Sequence, residues 1–282
     1  MTTRTIAALH AAHRDDIADL VTRRPVPGPG VEQVDPFLFL NHHGPQTYRP
    51  NNEGLPFGPH PHRGFETVTF ILDGELSHLD SGGHESVIHA GGVQWMTAGS
   101  GLVHAELSPE SFKRSGGRLE VLQLWINLPA RLKMTTPAYV GLEAGDVPSV
   151  DFDGGTLDLV SEHWDGIEGP ISPLADIRLM LVRLRAGGAI DIPVAPGRTI
   201  FLYTVAGQAE VGGTAVPVHH LAEMGDDGDG VSIRAAAETL ILFGHGAPFG
   251  EPIVSHGPFV MNSREEIVEA VRDYQAGRFG RL

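Results

Sequence analysis

Residues 58–75 read GPHPHRGFETVTFILDGE, and residues 91–106 read GGVQWMTAGSGLVHAE. In an extended strand, side chains at positions i and i+2 point to the same face. This spacing aims His60 together with His62, and His104 together with Glu106, at a common interior. Three neutral imidazoles and one carboxylate suit borderline divalent metal ions and leave positions for water, substrate or dioxygen. The two segments therefore predict a mononuclear metal site.

The surroundings of these residues favour a metal site over scattered surface histidines. A His-x-His pair in a proline-rich loop is usually only exposed, and the chain contains 15 histidines. Here the first pair precedes a strand-like run at residues 65–72, which ends at the turn Asp73-Gly74, and the second pair follows the turn-prone residues 98–101. A small barrel would bring the two pairs together.

At these residues the sequence resembles the pirin family of the cupin superfamily. The resemblance rests on HPHRGFETVTFILDGE at residues 60–75, GGVQWMTAGSGLVHAE at 91–106, LQLWINLP at 122–129 and HGPFVMN at 256–262. It implies an all-β fold of two tandem cupin-type β-barrels (a bicupin). The family's ligand set falls position by position on His60, His62, His104 and Glu106.

Glu66 departs from the general cupin pattern. That superfamily usually takes its glutamate ligand from the first motif, which here would be Glu66, whereas pirins use the glutamate that follows the third histidine. Glu66 shares strand parity with His62 and Val68, so it can point inward. We expect it to orient a ligand or hold a water rather than to bind the metal. The alternative is a carboxylate at the rim of the barrel.

The length and the repeated pattern predict two domains. The 282 residues are too many for one small barrel, and the 36 glycines and 21 prolines indicate the many tight turns of an all-β protein. Residues 133–176 are rich in Pro, Gly and Asp, after which the order of strands and glycine turns restarts, with Gly207 in the place of Gly74. We therefore expect a metal-binding barrel over residues 1–145 and a second barrel over 146–282.

The second barrel is predicted to bind no metal. Where the first half has its four ligands, the repeat has residues that do not form such a set, namely Ala189, Asp191, Pro193, Thr239 and Ile241. The chain should close with a helix, because Ser263 and Glu266 form a capping box and an apolar stripe follows. Gly277 should end this helix.

Further expectations concern other histidines, Gln123 and the N-terminal residues. His42 and His43 are adjacent, so at most one can face a given metal, and we expect polar structural contacts near the barrel mouth. His78, His84 and His89 lie on or beside turns and are expected to face solvent. Gln123 stands among apolar neighbours in a buried strand and needs a hydrogen-bonding partner. Residues 4–22 fit either a loose helix or a short strand.

Composition excludes several classes of function. A net charge of −15 argues against direct contact with a nucleic-acid backbone. The absence of cysteine excludes disulfides and thiolate chemistry and fits a reducing compartment. No signal-peptide pattern occupies residues 1–24, and no long apolar run could span a membrane. The sequence thus predicts a cytoplasmic protein with no membrane partner.

The resemblance implies a reaction as well as a site. A divalent ion held by three imidazoles and one carboxylate retains a positive charge that can bind an enolate or catecholate. Some pirins are known as quercetin 2,3-dioxygenases, which implies a small aromatic substrate such as a flavonol, with Glu106 as the catalytic base. The expected metal is Fe(II), with Mn, Ni, Cu, Co or Zn as alternatives.

Two other functions compete with this one. Other pirins look like iron-dependent redox-sensing regulators that act through protein partners. A sugar-phosphate isomerase of the cupin type would need a cluster of cations near the site, and only Arg63 lies close in sequence.

Overall fold

The chain folds almost entirely into β-strands. The computed structural model describes residues 1–282. Two α-helices are present, α1 (Glu110–Ser115) and α2 (Arg264–Gln275), together with short 3₁₀ turns at Ala130–Leu132 and Ala144–Asp146. Neither helix is long and apolar enough to cross a membrane.

The strands of the first half precede residue 147. They are β1 (Ile6–Ala11), β2 (His13–Arg14), β3 (Thr22–Val26), β4 (Phe37–Tyr48), β5 (Phe57–His62), β6 (Phe65–Asp73), β7 (Glu75–Asp80), β8 (Glu85–His89), β9 (Val93–Thr97), β10 (Leu102–Leu107), β11 (Gly117–Asn127) and β12 (Ala138–Leu142).

The second half contributes the remaining strands. They are β13 (Ser149–Phe152), β14 (Gly155–Leu159), β15 (His163–Trp164), β16 (Ile167–Glu168), β17 (Ile177–Leu184), β18 (Ala189–Pro193), β19 (Thr199–Ala206), β20 (Gln208–Val211), β21 (Thr214–Pro217), β22 (His220–Met224), β23 (Gly230–Ala235), β24 (Thr239–Gly246), β25 (Val254–His256) and β26 (Phe259–Met261).

The chain forms two compact units that differ from the predicted domains in their terminal segments. Most of the N-terminal segment belongs to the second barrel, and the C-terminal segment belongs to the first. The unit that we call the N barrel contains residues 14–22, 37–146 and 249–282, and the C barrel contains residues 1–13, 23–36 and 147–248. The sequence instead predicts two consecutive domains, 1–145 and 146–282. The terminal segments complete the barrel that is remote from them in sequence, as β1 does by pairing with β22. Pairing over such a separation leaves no periodic signal in the sequence.

Two antiparallel sheets build the N barrel. One contains the strand order β12-β9-β6-β11-β4, and the other has the order β5-β10-β7-β8. Apolar side chains from both sheets close one end of the interior, including Ile71, Leu76, Ile88, Leu119 and Val121. The four predicted metal ligands lie on β5 and β10, and Glu66 lies on β6.

The C barrel repeats this architecture, which confirms the predicted duplication. Its sheets contain β22-β19-β24-β17 and β18-β23-β20-β21, in the same spatial order as β9-β6-β11-β4 and β5-β10-β7-β8. Gly74 and Gly207 both turn the chain between equivalent strands with positive φ, 86° and 76°. The expected equivalence of His104 and Glu106 with Thr239 and Ile241 is wrong, because β10 corresponds to β23 and not to β24. The C barrel interior is filled by apolar residues such as Ile192, Val231 and Ile233.

The C-terminal helix forms as predicted. Ser263 accepts a hydrogen bond from the Glu266 backbone N–H at 3.2 Å, and Glu266 accepts one from the Ser263 N–H at 2.9 Å. Ile267 and Ala270 are buried against the β25–β26 hairpin, and Gly277 follows the helix with φ of 74°. The same unit therefore contains α2 and the predicted metal ligands. Of the two expectations for residues 4–22, the strand is the one found for its first part, as β1.

Candidate metal centre

Three imidazoles meet inside the N barrel. His60 and His62 come from β5 and His104 from β10, and their ligand nitrogens all lie within 4.8 Å of one another. The two strands are antiparallel, with His104 directly opposite His60. The i, i+2 spacing on β5 brings His62 to the same side, as the sequence pattern predicts. Geometry thus gathers three of the four predicted ligands at one point.

Backbone carbonyls orient two of these rings. His60 Nδ1 lies 2.7 Å from the Gly58 carbonyl oxygen, and His62 Nδ1 lies 3.3 Å from the Pro258 carbonyl oxygen. A carbonyl can only accept, so each Nδ1 carries the proton and each Nε2 presents its lone pair. This is the arrangement that metal-ligating histidines commonly use.

The environment of His104 is compatible with a metal ligand. Its side chain is fully buried, and neither Nδ1 nor Nε2 has a hydrogen-bond partner. Burial, with the neighbouring imidazoles, holds the pKa of His104 well below its usual range. Burial likewise lowers the pKa of His62 to about 3. Burial thus favours the neutral form of both rings, which coordination requires, and one unpaired His104 nitrogen can offer its lone pair to a metal ion at this point.

Glu106 points into the same interior but is held by polar side chains. Its Oε1 accepts hydrogen bonds from Thr69 Oγ1 at 3.0 Å and from Gln94 Nε2, while its Oε2 accepts one from Gln123 Nε2. The group of mutually close ligand atoms contains the three imidazoles and not this carboxylate. The role of Glu106 as fourth ligand stays a prediction. Glu106 is also the hydrogen-bonding partner that the sequence requires for Gln123.

Glu66 is a buried carboxyl with one unused oxygen. Its Oε1 accepts a hydrogen bond from Thr97 Oγ1 at 2.6 Å, and its Oε2 has no partner. Burial raises the pKa of Glu66 above its usual value. A rim position is excluded, since the residue is only 1% exposed. Glu66 and Thr69 have opposite strand parity on β6, and the Thr69 hydroxyl reaches Glu106, so Glu66 points to the other face of the sheet. It also lies outside the imidazole group, and its role in orienting a ligand stays a prediction.

If Glu66 orients a ligand, Glu66→Gln should weaken metal affinity by about 10- to 100-fold without abolishing it, the size typical of such a loss. Unchanged affinity would instead agree with its position on the other face of β6. Metal titrations of the variant and of wild type would measure the change. Complete metal loss in Glu66→Gln, with Glu106→Gln still loaded, would reverse the roles assigned to the two glutamates.

The prediction that His78 faces solvent is wrong. Its side chain is fully buried, its Nε2 lies 3.1 Å from Asp80 Oδ2, and its ring stacks on Tyr139 at 4.0 Å. The His104 ring is 5.6 Å away. Burial alternates along β7, where Leu76, His78 and Asp80 are the buried residues. This period-2 pattern, and not the nearby turns, indicates where His78 points. His84 and His89 do reach solvent, with side chains 44% and 60% exposed.

Aromatic rings surround His62. The Trp125 ring lies 5.2 Å from the His62 ring and packs on Phe65 at 4.4 Å and on Phe39 at 4.6 Å. Trp125 has the same strand parity as Gln123, so both point into the barrel. Trp125 and Phe39 remain partly exposed, which places an apolar, aromatic surface beside the imidazoles.

His42 and His43 make the structural contacts expected of them. His42 Nε2 lies 2.9 Å from Glu120 Oε1, and His43 Nδ1 lies 2.8 Å from Thr22 Oγ1. Neither belongs to the imidazole group.

Comparison with known proteins matches both halves of the chain. The family model described as Pirin matches residues 19–126, and the one described as Pirin C-terminal cupin domain matches residues 179–280. A pirin-like protein of Caulobacter vibrioides is 41% identical over 254 residues, which cover 89% of this chain and 90% of that protein. A Pseudomonas aeruginosa protein named "Putative quercetin 2,3-dioxygenase" is 38% identical over 250 residues, covering 88% and 87%.

The similarity extends to the fold. The crystal structure of a quercetin 2,3-dioxygenase from Acinetobacter baumannii superposes with a TM-score of 0.92 at 32% identity and covers 99% of both chains. The two units of the present chain are therefore cupin-type barrels, as the sequence predicts.

Proposed function

Because the chain belongs to the pirin family, we propose that it is a metal-dependent dioxygenase that opens the ring of a flavonol, an activity of the quercetin 2,3-dioxygenase type. The observation that carries this proposal is the fully buried His104, whose two nitrogens lack partners beside the rings of His60 and His62. A buried imidazole left unpaired costs free energy unless a ligand completes it. The similarity to a quercetin 2,3-dioxygenase over the full chain supports the choice of reaction.

A single divalent ion, for which we propose Fe(II), would be held by His60, His62, His104 and Glu106. When bound, it supplies a positive centre that attracts an oxygen anion and can bring substrate and dioxygen together. Three neutral imidazoles and a single carboxylate leave that centre with net positive charge.

Glu106 is the group that we propose removes the hydroxyl proton of the flavonol. It is an acidic side chain that accepts hydrogen bonds from three donors in the interior, Thr69, Gln94 and Gln123. These donors hold the carboxylate in one orientation. Proton transfer to a positioned carboxylate of this kind typically contributes about 10²- to 10⁴-fold in rate.

The aromatic surface beside His62 suits a planar substrate. Aromatic pairs gain about 0.5–1.5 kcal/mol beyond the burial of their area. Phe39 and Trp125 offer partly exposed rings at this position. Apolar walls also exclude water from a reaction that proceeds through a reactive anion.

Oxygen consumption by metal-loaded protein tests the proposal. Protein reconstituted with Fe(II) should consume oxygen when quercetin or a related flavonol is added, and metal-free protein should not. Reconstitution with the other divalent metals named above, followed by the same assay, tests the choice of iron. A protein that holds its metal and consumes no oxygen with any flavonol would contradict the dioxygenase and favour a redox-sensing regulator.

A further inference from the structure

The Pro258 carbonyl, near the C-terminus, accepts hydrogen bonds from the segment that carries the proposed ligand His62. The Pro258 oxygen accepts from His62 Nδ1 at 3.3 Å and from the Arg63 backbone N–H at 3.4 Å. The Val260 N–H in turn donates to the Arg63 carbonyl at 3.0 Å. Residues 258–260 thus pair with the chain immediately after the second ligand and fix the proton on its Nδ1.

The approach of these two segments is unusually close. Gly64 has φ of +89°, and a Cβ added there would lie 2.0 Å from the Val260 carbonyl oxygen, so only glycine fits. The buried Lys133 ammonium donates to the Gly64 carbonyl at 2.9 Å and to the Val260 carbonyl at 3.0 Å. Two independent contacts therefore hold the ligand segment to the C-terminal residues.

Arg63 connects this contact to α2. Its side chain is only 4% exposed, and its Nε donates to the Ser100 carbonyl at 2.7 Å. A second nitrogen donates to Asp273 Oδ2 at 2.8 Å, and the guanidinium carbon lies 4.6 Å from the centre of the Phe279 ring. Ser100 lies in the turn before β10, which carries His104. One guanidinium thereby links both ligand segments to the last helix of the chain.

We propose that residues 254–282 position the His62 imidazole and set the metal affinity of the N barrel, with Asp273 as the positioning residue that acts through Arg63. Asp273 holds the guanidinium, the guanidinium holds the chain between His62 and Gly64, and the Pro258 carbonyl then receives the His62 Nδ1 proton. This inference rests on the metal site of the proposed function and is independent of the reaction.

Titration with Co(II), whose visible spectrum reports its coordination geometry, tests this role. We expect Asp273→Asn to lower Co(II) affinity by about 10- to 100-fold, the size typical of losing a group that orients a ligand. The spectrum of the loaded variant should also change, because His62 would no longer be held in one orientation. Arg63→Lys should act in the same direction, since a lysine cannot reproduce the two-pronged contact of the guanidinium.

Arg278→Ala is the matched control, because Arg278 contacts the other oxygen of the same Asp273 carboxylate from a side chain that is 69% exposed. It should leave Co(II) affinity and spectrum as in wild type. Equal affinity and an unchanged spectrum in both Asp273→Asn and Arg63→Lys would overturn the inference. An affinity loss shared by Arg278→Ala would also overturn it, by showing only that α2 must stay attached. Failure of wild type to bind Co(II) would instead refute the metal site itself.

Discussion

His104→Ala is expected to leave the protein with less than about a tenth of its wild-type metal, and His60→Ala should do the same. Each substitution removes one of the four proposed ligands, a larger change than the loss of a neighbouring group, which already costs about 10- to 100-fold in affinity. Metal content after purification in identical buffers measures the effect.

The structure also predicts what happens without metal. His104 buries two nitrogens without partners, which makes an unfavourable contribution to the free energy of folding. The substitution removes that contribution and costs only the cavity that it leaves. Metal-free His104→Ala should therefore remain folded. Added metal should raise the unfolding temperature of wild type and not that of the variant, since only a ligand bound to the folded state stabilises it.

His163→Ala is the control for this experiment. His163 belongs to the C barrel, and its side chain is 61% exposed. Its loss should change neither the metal content nor the shift in unfolding temperature. Metal loss in His163→Ala, or full loading of His104→Ala, would show that the ion is held elsewhere.

The sequence predicted the part of this site that depends on local periodicity. Two i, i+2 pairs on short strands were sufficient to place His60, His62 and His104 in one interior. The same alternation on β11 placed Gln123 among apolar neighbours and required a partner for it, and that partner is Glu106. Such residues are predictable because strand parity alone decides where they point.

Contacts between distant segments were not predictable in this way. His78 was misplaced because it lies near turns, although the neighbouring alternation buries it. The Pro258 carbonyl at His62 and the ion pair of Arg63 with Asp273 join residues about 200 positions apart. Nothing local in either segment indicates its partner, so the exchange of terminal segments between barrels was also missed.

The substitution Glu106→Gln distinguishes the proposed role of this residue as a metal ligand from its proposed role as a base. Glutamine keeps an oxygen that can bind a metal but has almost no basicity. We expect Glu106→Gln to retain some metal, still bind the flavonol, and lose oxygen uptake by about 10²- to 10⁴-fold, the usual range for removing a general base. Oxygen uptake at saturating flavonol, with metal content measured on the same sample, gives the comparison per loaded site.

The neighbours of Glu106 supply the matched control. In Glu106→Gln, the N–H group of the new amide would face the donor groups of Thr69, Gln94 and Gln123. Part of the activity loss could therefore come from misorientation of the side chain at position 106. Thr69→Val removes one of these donors with little change in shape and keeps the carboxylate. If Glu106 is the base, Thr69→Val should lose much less activity than Glu106→Gln. Full oxygen uptake in Glu106→Gln would contradict the proposed proton transfer and leave the three-imidazole site standing.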